Sequence, residues 1–579
     1  MSDIAAAHAA LARGDVLIAY DEAAAVLRDD PNDLDARFVV SLSLARSGAP
    51  QRAFESIQEL RELLERSDSA PRSLRQDADA LFARLAKDRA LHASVPDRSK
   101  LAAEAARLYE LVAERYGGHF PAVNAATLWL LSGDAGRAQL LAAQALRGID
   151  DEPDAYWRLA TEAEAALVMG NHDRAARALQ RVEESGLGDA AARSRTRYQL
   201  TLVCQATGQD DSFVRSLAVP SVLHYCGHRA SGDEVRPSVD AFLDERRVGV
   251  AFGSLARGAD IVIAEALLAR GVELHIVLPF DIDDFESISV GPDAPEWQRR
   301  YRSCLARAAS TMCTCDSFHL GDDALLTHAS RIAMGHAVNR AAFLGAGVEQ
   351  LAVWDGQAPV AAAGTARDVG LWQRAGRHTH VIAVPPTRHS SGSARQGQAA
   401  GRIYALLFAD FHGFSRLRDE HYSAFVADVL TPIADEIRRF DEHILYRNTW
   451  GDAIQIVIDD VVAAAQCGLG IQEVLGRVDR VRACLPPDLS LRMALHVGRV
   501  ISIDDPIRAT AAFWGRELTR AARIEPRTPE GEVYTTDAVA ALLALEPGSG
   551  VHCEYMGRVT TAKEFETIPM YRLRRTGPR

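Results

Sequence analysis

Residues 402–411, RIYALLFADF, and residues 443–458, HILYRNTWGDAIQIVI, decide the reading of this 579-residue chain. The first is an apolar run that ends on a carboxylate, Asp410. HGFSRL follows it, so it reads as a strand opening into a helix. The second holds two short apolar runs around Gly451 and Asp452, a strand pair with its turn there. In a β-α-β sheet of this kind the strand-end carboxylate and the hairpin-turn carboxylate fall on one edge. Two carboxylates so placed suit a pair of divalent cations about 3.5–4 Å apart, an arrangement that phosphoryl chemistry uses. Further on come LRMALHVGRV (491–500), FWGRELTRAARIE (513–525) and CEYMGRVTTAKEFETIPMYRL (553–573).

FADFHGFS, TWGDAIQI, ALHVGRV, WGRELTRAARIE and the closing strand with Tyr571 stand in an order and spacing that resembles class III nucleotidyl (adenylate/guanylate) cyclases. The match spans nearly all of 402–575. The resemblance implies a ferredoxin-like domain that works as a homodimer, with active sites at the subunit interface. It implies a lyase reaction: a nucleoside triphosphate becomes a 3′,5′-cyclic nucleotide and pyrophosphate. By the same resemblance Asp410 and Asp452, assisted by the Phe411 carbonyl, hold two Mg²⁺ or Mn²⁺ ions. Arg523 of the other subunit matches the transition-state arginine, whose guanidinium suits charge growing on phosphate oxygens. Lys563 falls where the family carries a lysine for the terminal phosphates.

Two departures stand out. Thr519 replaces the asparagine of the family's N-x-x-x-R motif, which orients the ribose. The base-reading positions carry Asn448 and Ala512, neither the adenine-type nor the guanine-type pair. Asn448 both donates and accepts, so it suits the amide edge of a pyrimidine or a guanine, with Arg447 as a neighbouring contributor. The base therefore stays open among ATP, GTP and a pyrimidine triphosphate. A second reading is a catalytically degenerate cyclase fold that binds nucleotide and signals by dimerising. A third makes the central domain the catalytic unit, acting on a nucleotide or an N-glycosidic bond.

Upstream, residues 386–400, PTRHSSGSARQGQAA, have no apolar period and read as a flexible linker. They separate a domain over 401–579 from one over 216–385. In the latter, SVLHYCGHRAS (221–231) and RRVGVAFGSLARGADIVIAEALLARGVELHIVLPF (246–280) alternate short apolar strands with helices, the βαβ pattern of a parallel sheet. GSLARGAD (253–260) sits at a strand-to-helix turn, where backbone N–H groups and a helix N-terminus favour phosphate. With the GHR at 227–229 it resembles the SLOG superfamily of Rossmann-like nucleotide-binding domains. That resemblance implies a nucleotide-derived ligand lined by Gly227, His228, Arg229, Gly253, Ser254, Gly258 and Asp260. The PGGxGT motif of the phosphoribohydrolase branch is absent, which favours sensing over catalysis. A structural turn without ligand is the other reading.

Residues 1–215 read as helix after helix. Gly14, Gly48, Gly133 and Gly170 are each followed five residues later by an alanine: Ala19, Ala53, Ala138 and Ala175. The first interval is 34 residues and the last 37. Glycine supplies a helix C-cap turn and the small residue lets the next helix pack close. This resembles tetratricopeptide repeats. Segments 116–138 and 154–176 resemble the divergent repeats that precede signalling domains in bacterial conflict systems, which implies a sensor or docking role with a protein partner in defence signalling. A generic α-solenoid is the alternative. The fold expected for the whole chain is thus α, then α/β, then α+β.

Composition bounds the rest. A formal charge of -13 argues against a dedicated nucleic-acid binder. The N-terminus has no basic stretch before an apolar core, and no run reaches about 18 apolar residues, so neither a signal peptide nor a membrane span is expected. Eight scattered cysteines make no disulfide framework, and Cys313 with Cys315 lacks a second pair at zinc spacing. A cytoplasmic protein with reduced thiols is the expectation. Only three basic residues are lysines, and Lys563 is the sole lysine after Lys100.

Overall fold

The structure is a computed structural model. It describes residues 4–576 except 14, 93–94, 189, 216, 218, 317–322, 359–362 and 387–400. The expected linker therefore lies almost wholly outside the described residues, as does Gly14. Residues 1–220 form one compact body, and residues 221–341 with 347–576 form another. Among the described residues no helix is long and apolar enough to cross a membrane.

In the first body helices α1–α12 run between Ile4 and Arg215. Gly48, Gly133 and Gly170 close helices with φ of 82°, 99° and 77°, the left-handed turn that a side chain would strain. Ala19, Ala53, Ala138 and Ala175 are fully buried. The small-residue positions are thus where neighbouring helices meet.

The second body holds two sheets. The first contains β1 (Ser221–Gly227), β2 (Val248–Gly253), β3 (Glu273–Leu278), β4 (Ser310–Cys313), β5 (Val348–Trp354) and β6 (Thr379–Ala383). All pairs are parallel, in the order β4-β3-β2-β1-β5-β6. Around it lie α13 (Arg236–Glu245), α14 (Ala259–Ala269), α15 (Ile282–Phe285), α16 (Pro295–Arg307), α17 (Ala324–Leu344) and α18 (Thr365–Arg374). The strand order reverses between β1 and β5, and open parallel sheets bind ligands at such a crevice.

The second sheet begins with β7 (Arg402–His412), α19 (Asp419–Ala424), α20 (Thr431–Arg438), β8 (Ile444–Thr449), β9 (Ala453–Ile458), α21 (Val461–Gly476) and β10 (Ser490–Asp505). The order β10-β7-β9-β8 is that of a ferredoxin-like β-α-β-β-α-β unit. β11 (Thr510–Trp514) folds back on β10 as a hairpin. Then α22 (Arg516–Ile524), β12 (Val533–Thr536), α23 (Asp537–Ala544), β13 (Val551–Thr560) and β14 (Thr567–Arg575) extend the far edge.

The two sheets belong to one body because α17 packs on α23. A Cβ on Gly335 would stand 2.0 Å from the Ala541 carbonyl oxygen, so the helices touch backbone to backbone. Met334, Trp372 and Leu545 share a small apolar cluster beside that contact. Arg377 donates to the carbonyls of Ala544 and Leu545, a cationic cap on the end of α23.

Candidate functional site

Asp410 lies near the end of β7 and Asp452 at the β8–β9 turn, as their motifs predict. The register pairs Asp410 with Ala453, the first residue of β9, so the turn residue Asp452 stands beside the end of β7, and the Phe411 N–H donates to the Asp452 carbonyl at 2.9 Å. β10 runs on the other side of β7 and sets Arg492 opposite Asp410. The Arg492 guanidinium lies 2.7 Å from the Asp410 carboxylate and 3.1 Å from Glu525. Burial pushes the Glu525 carboxyl up to about 7; Arg492 pulls it down, and the charges of Asp410 and Asp452 add to the rise. Two carboxylates, Asp410 and Glu525, therefore share one guanidinium, and the Asp452 charge acts on the second of them. Neither Arg492 nor Glu525 is singled out by the sequence reading; strand register is the signal that finds Arg492.

Oxygen ligands in small number, completed by substrate phosphates, suit Mg²⁺ or Mn²⁺. Asp410, Asp452 and a backbone carbonyl fit that description. Among the described residues no cluster of three or more His, Cys, Asp or Glu forms a metal cage without substrate.

Helix α22 is two-faced. Glu517, Ala521 and Ile524 are buried, while Thr519 is exposed and Arg523 half-buried, one turn apart on the other face. Glu517 is 3 % exposed and receives His496 at 2.7 Å and Arg520 at 2.6 Å. Burial raises its carboxyl, but those two partners outweigh it and hold the group at about 2. Lys563 is exposed on a short turn, Ala562–Glu564, with φ of 60°, and Glu564 follows at 51°. Two consecutive left-handed non-glycine residues store strain, a feature that clusters at functional sites.

At the base position the structure separates two expected partners. Asn448 and Arg447 are neighbours on β8, so their side chains leave opposite faces. Arg447 pairs with Asp441 at 2.7 Å. Asn448 instead accepts from Arg508, at the tip of the β10–β11 hairpin, at 2.9 Å, and its buried amide nitrogen has no hydrogen-bond partner. Arg508 also donates to the Tyr446 hydroxyl. Ala512 is buried on β11, paired with Ile503. Arg508 is thus the cation beside Asn448, and sequence alone hides it because it is 60 residues away.

In the first sheet of this body a cleft of about 900 Å³ opens over the carboxyl ends of β1 and β3. Gly227, His228, Arg229, Ser254 and Asp260 line it, as expected; Gly253 and Gly258 do not. A Cβ on Gly253 would strike the Tyr225 ring at 2.5 Å. One on Gly258 (φ 95°) would strike the Arg229 and Ser231 carbonyls at 2.5 and 2.7 Å. At both glycines the backbone packs so closely on its neighbours that no side chain fits. His228 bridges β1 to the residue after β5, 3.1 Å from the Asp355 carboxylate. Asp260 accepts from the Ala256 N–H, one of the turn donors a phosphate would otherwise use.

Asp368 on α18 joins the same cleft. Burial pushes both Asp260 and Asp368 up to about 7, and each keeps one carboxyl oxygen without a hydrogen-bond partner. Arg229 and Arg257 line the same cleft, and burial followed by Arg257 lowers the Arg229 guanidinium.

With this geometry in hand, comparison with known proteins gives two family matches. Residues 17–129 match a tetratricopeptide-repeat sensor family, and residues 399–573 match the adenylate and guanylate cyclase catalytic domain. No curated protein matches the chain. Among solved structures, the adenylyl cyclase CyaB from P. aeruginosa is similar at 17 % identity and TM-score 0.28. It covers 31 % of this chain and 98 % of its own. An adenylate cyclase from Trypanosoma brucei, solved as a monomer, is similar at 20 % identity and TM-score 0.25, covering 30 % and 89 %. The guanylate cyclase domain of RhGC from Catenaria anguillulae, solved in complex with GTP, is similar at 15 % identity and TM-score 0.26, covering 30 % and 97 %. The chain therefore carries an N-terminal tetratricopeptide-type sensor domain and a C-terminal adenylate/guanylate cyclase domain.

Proposed function

We propose that the C-terminal domain converts a nucleoside triphosphate into a 3′,5′-cyclic nucleotide and pyrophosphate, under control of the domains before it. The observation that carries this reading is the placement of Asp410 near the end of β7 beside Asp452 in the adjoining β8–β9 turn, within a domain that matches the cyclase family from 399 to 573. Asp410 and Asp452, with the Phe411 carbonyl, would hold two Mg²⁺ or Mn²⁺ ions. When bound, these ions lower the pKa of the ribose 3′-hydroxyl and neutralise the triphosphate. The outward face of α22 supports a site completed by a second copy of the chain. There Arg523 donates to the oxygens that gain charge at the α-phosphorus, and the Thr519 hydroxyl orients the ribose. Lys563 meets the terminal phosphates as a compact point charge. Asn448 and Arg508 present donors to the base, which favours an edge of acceptors, as in guanine or a pyrimidine, over the adenine amino group.

The central cleft takes a small ligand in this reading, with Arg229, Ser254 and Asp260 on its walls, and the repeats take a protein partner in a defence signalling pathway. Calorimetry with nucleotides tests the cleft, and equal binding by Arg229→Ala would remove that side chain from it.

Nucleotide binding without turnover is the second reading, favoured by the Arg492 guanidinium on the Asp410 carboxylate. Purified chain with Mn²⁺ and each of the four ribonucleoside triphosphates separates the two. Cyclic product and pyrophosphate from at least one, abolished by Asp452→Ala, supports the cyclase. No product from any overturns it.

A further inference from the structure

Arg520 lies on the buried side of α22, one residue after Thr519 and one turn before Arg523. Its guanidinium is shared by three carboxylates from three parts of the chain. Glu517 lies on its own helix at 2.6 Å. Glu566 comes from the segment that follows Lys563, and Nε and one Nη of the guanidinium donate to its two carboxylate oxygens. Asp316 comes from the first sheet's domain, three residues beyond the end of β4, at 2.8 Å. Arg516, one turn earlier on α22, also reaches Asp316 at 3.3 Å, and its guanidinium stands 5.3 Å from the Phe565 ring centroid. Two arginines of one helix thus hold the Lys563 segment on one hand and Asp316 on the other.

A guanidinium that satisfies several carboxylates in a partly buried place fixes their relative positions, because its donors diverge in a rigid plane. The side chain of Arg520 is 13 % exposed and its partners Glu517 and Glu566 are buried or nearly so, so those bonds face little competition from water, while Asp316, 41 % exposed, holds the outer end of the set. They register Arg523 and Thr519 against Lys563. Asp316 is the one member of the set that the cyclase domain does not supply. It follows the carboxyl end of β4, on the edge of the parallel sheet over which the cleft opens; Pro279, just after β3, and Asp323 line that cleft, and Asp316 itself does not.

We propose that Arg520 is a positioning residue for the cyclase reaction, and that Asp316 anchors it, so that the geometry of the catalytic helix depends on the central domain. This rests on the cyclase reading above. No bond to substrate is involved: the pair acts through Arg523 and Lys563. Misplacement of a catalytic group by about 1 Å can cost about a hundredfold in rate, so a loosened anchor is felt in kcat before KM.

The test uses the full chain. Asp316→Ala should lower kcat by about ten- to a hundredfold, with KM for the triphosphate nearly unchanged. Asp316→Glu, which keeps the charge, should recover much of the loss. Amide exchange over 516–524 should quicken in Asp316→Ala and return towards normal in Asp316→Glu, while exchange in the strands of the first sheet stays as it was. A purely structural role would slow neither parameter selectively and would not be rescued by charge. Unchanged kcat together with unchanged exchange over α22 in Asp316→Ala overturns the proposal. If the unmodified chain turns over no triphosphate, the cyclase reading has failed on its own account. The exchange experiment then decides the anchor alone: quickened exchange supports it, and unchanged exchange overturns it.

Discussion

In the proposed base site the side chains on offer are Arg508 and Asn448. Both present donors, and Ala512 contributes no polar group. A hydrogen bond to a charged group is worth about 1.5–3 kcal/mol, or roughly ten- to a hundredfold in kcat/KM. Arg508→Ala should therefore narrow the preference among the four triphosphates by about that factor, read as the ratio of kcat/KM for the best and worst substrates. Melting temperature should barely move, since Arg508 is an exposed hairpin-tip residue. Lys563→Arg is the companion test. A planar guanidinium in place of a compact ammonium should raise KM for the triphosphate, whereas a surface role leaves KM unchanged. The places of Asp410, Asp452 and Arg523 on a strand, a hairpin turn and a helix were legible in the sequence because each lies inside a contiguous motif with its own strand or helix signal. Arg492, Arg508 and Asp368 were not, because only strand register, a hairpin tip and a helix from the far side of the sheet bring them to their sites.

At the scale of elements, the helices and strands followed their apolar periods closely. RIYALLFADF became β7 almost residue for residue, and the HILYRNTWGDAIQIVI pair became β8 and β9 around the expected turn. The glycines were harder to read. A glycine at a strand-to-helix turn predicts either a ligand or a close packing contact, and sequence does not distinguish them. At Gly253 the neighbour is the Tyr225 ring, and at Gly258 it is two backbone carbonyls. Gly335 carries the same lesson at the α17–α23 contact, where the Ala541 carbonyl leaves no room for a methyl group. Gly335→Ala should destabilise the chain by about 1–3 kcal/mol, the usual range for overpacking, and differential scanning should show it as a lower transition for the body that holds both sheets. An unchanged transition would mean that the two helices do not pack as described.

At the scale of the whole molecule, Asp260 and Asp368 make stability depend on pH. Burial keeps their protons on up to about 7 in the folded chain, against a usual aspartate value of 3.8. Between those values the folded state binds more protons than the unfolded state, so their contribution to stability is present at low pH and is lost as pH rises towards 7. Asp368→Asn removes one such proton. The melting temperature of that variant should fall less between pH 4 and pH 7 than that of the unmodified chain, and an equal fall in both would show that Asp368 titrates normally.

In the proposed cyclase a second chain completes each active site, and mixing two inactive variants shows whether it does. Asp452→Ala removes a metal carboxylate and Arg523→Ala removes the transition-state guanidinium. In a two-fold dimer of mixed composition, one site carries both defects and the other carries neither. Each variant alone should therefore be silent, while an equimolar mixture should recover about a quarter of the unmodified rate of pyrophosphate release, half the dimers being mixed and each having one intact site. A mixture as silent as its components, from variants that both still dimerise, would contradict the shared site.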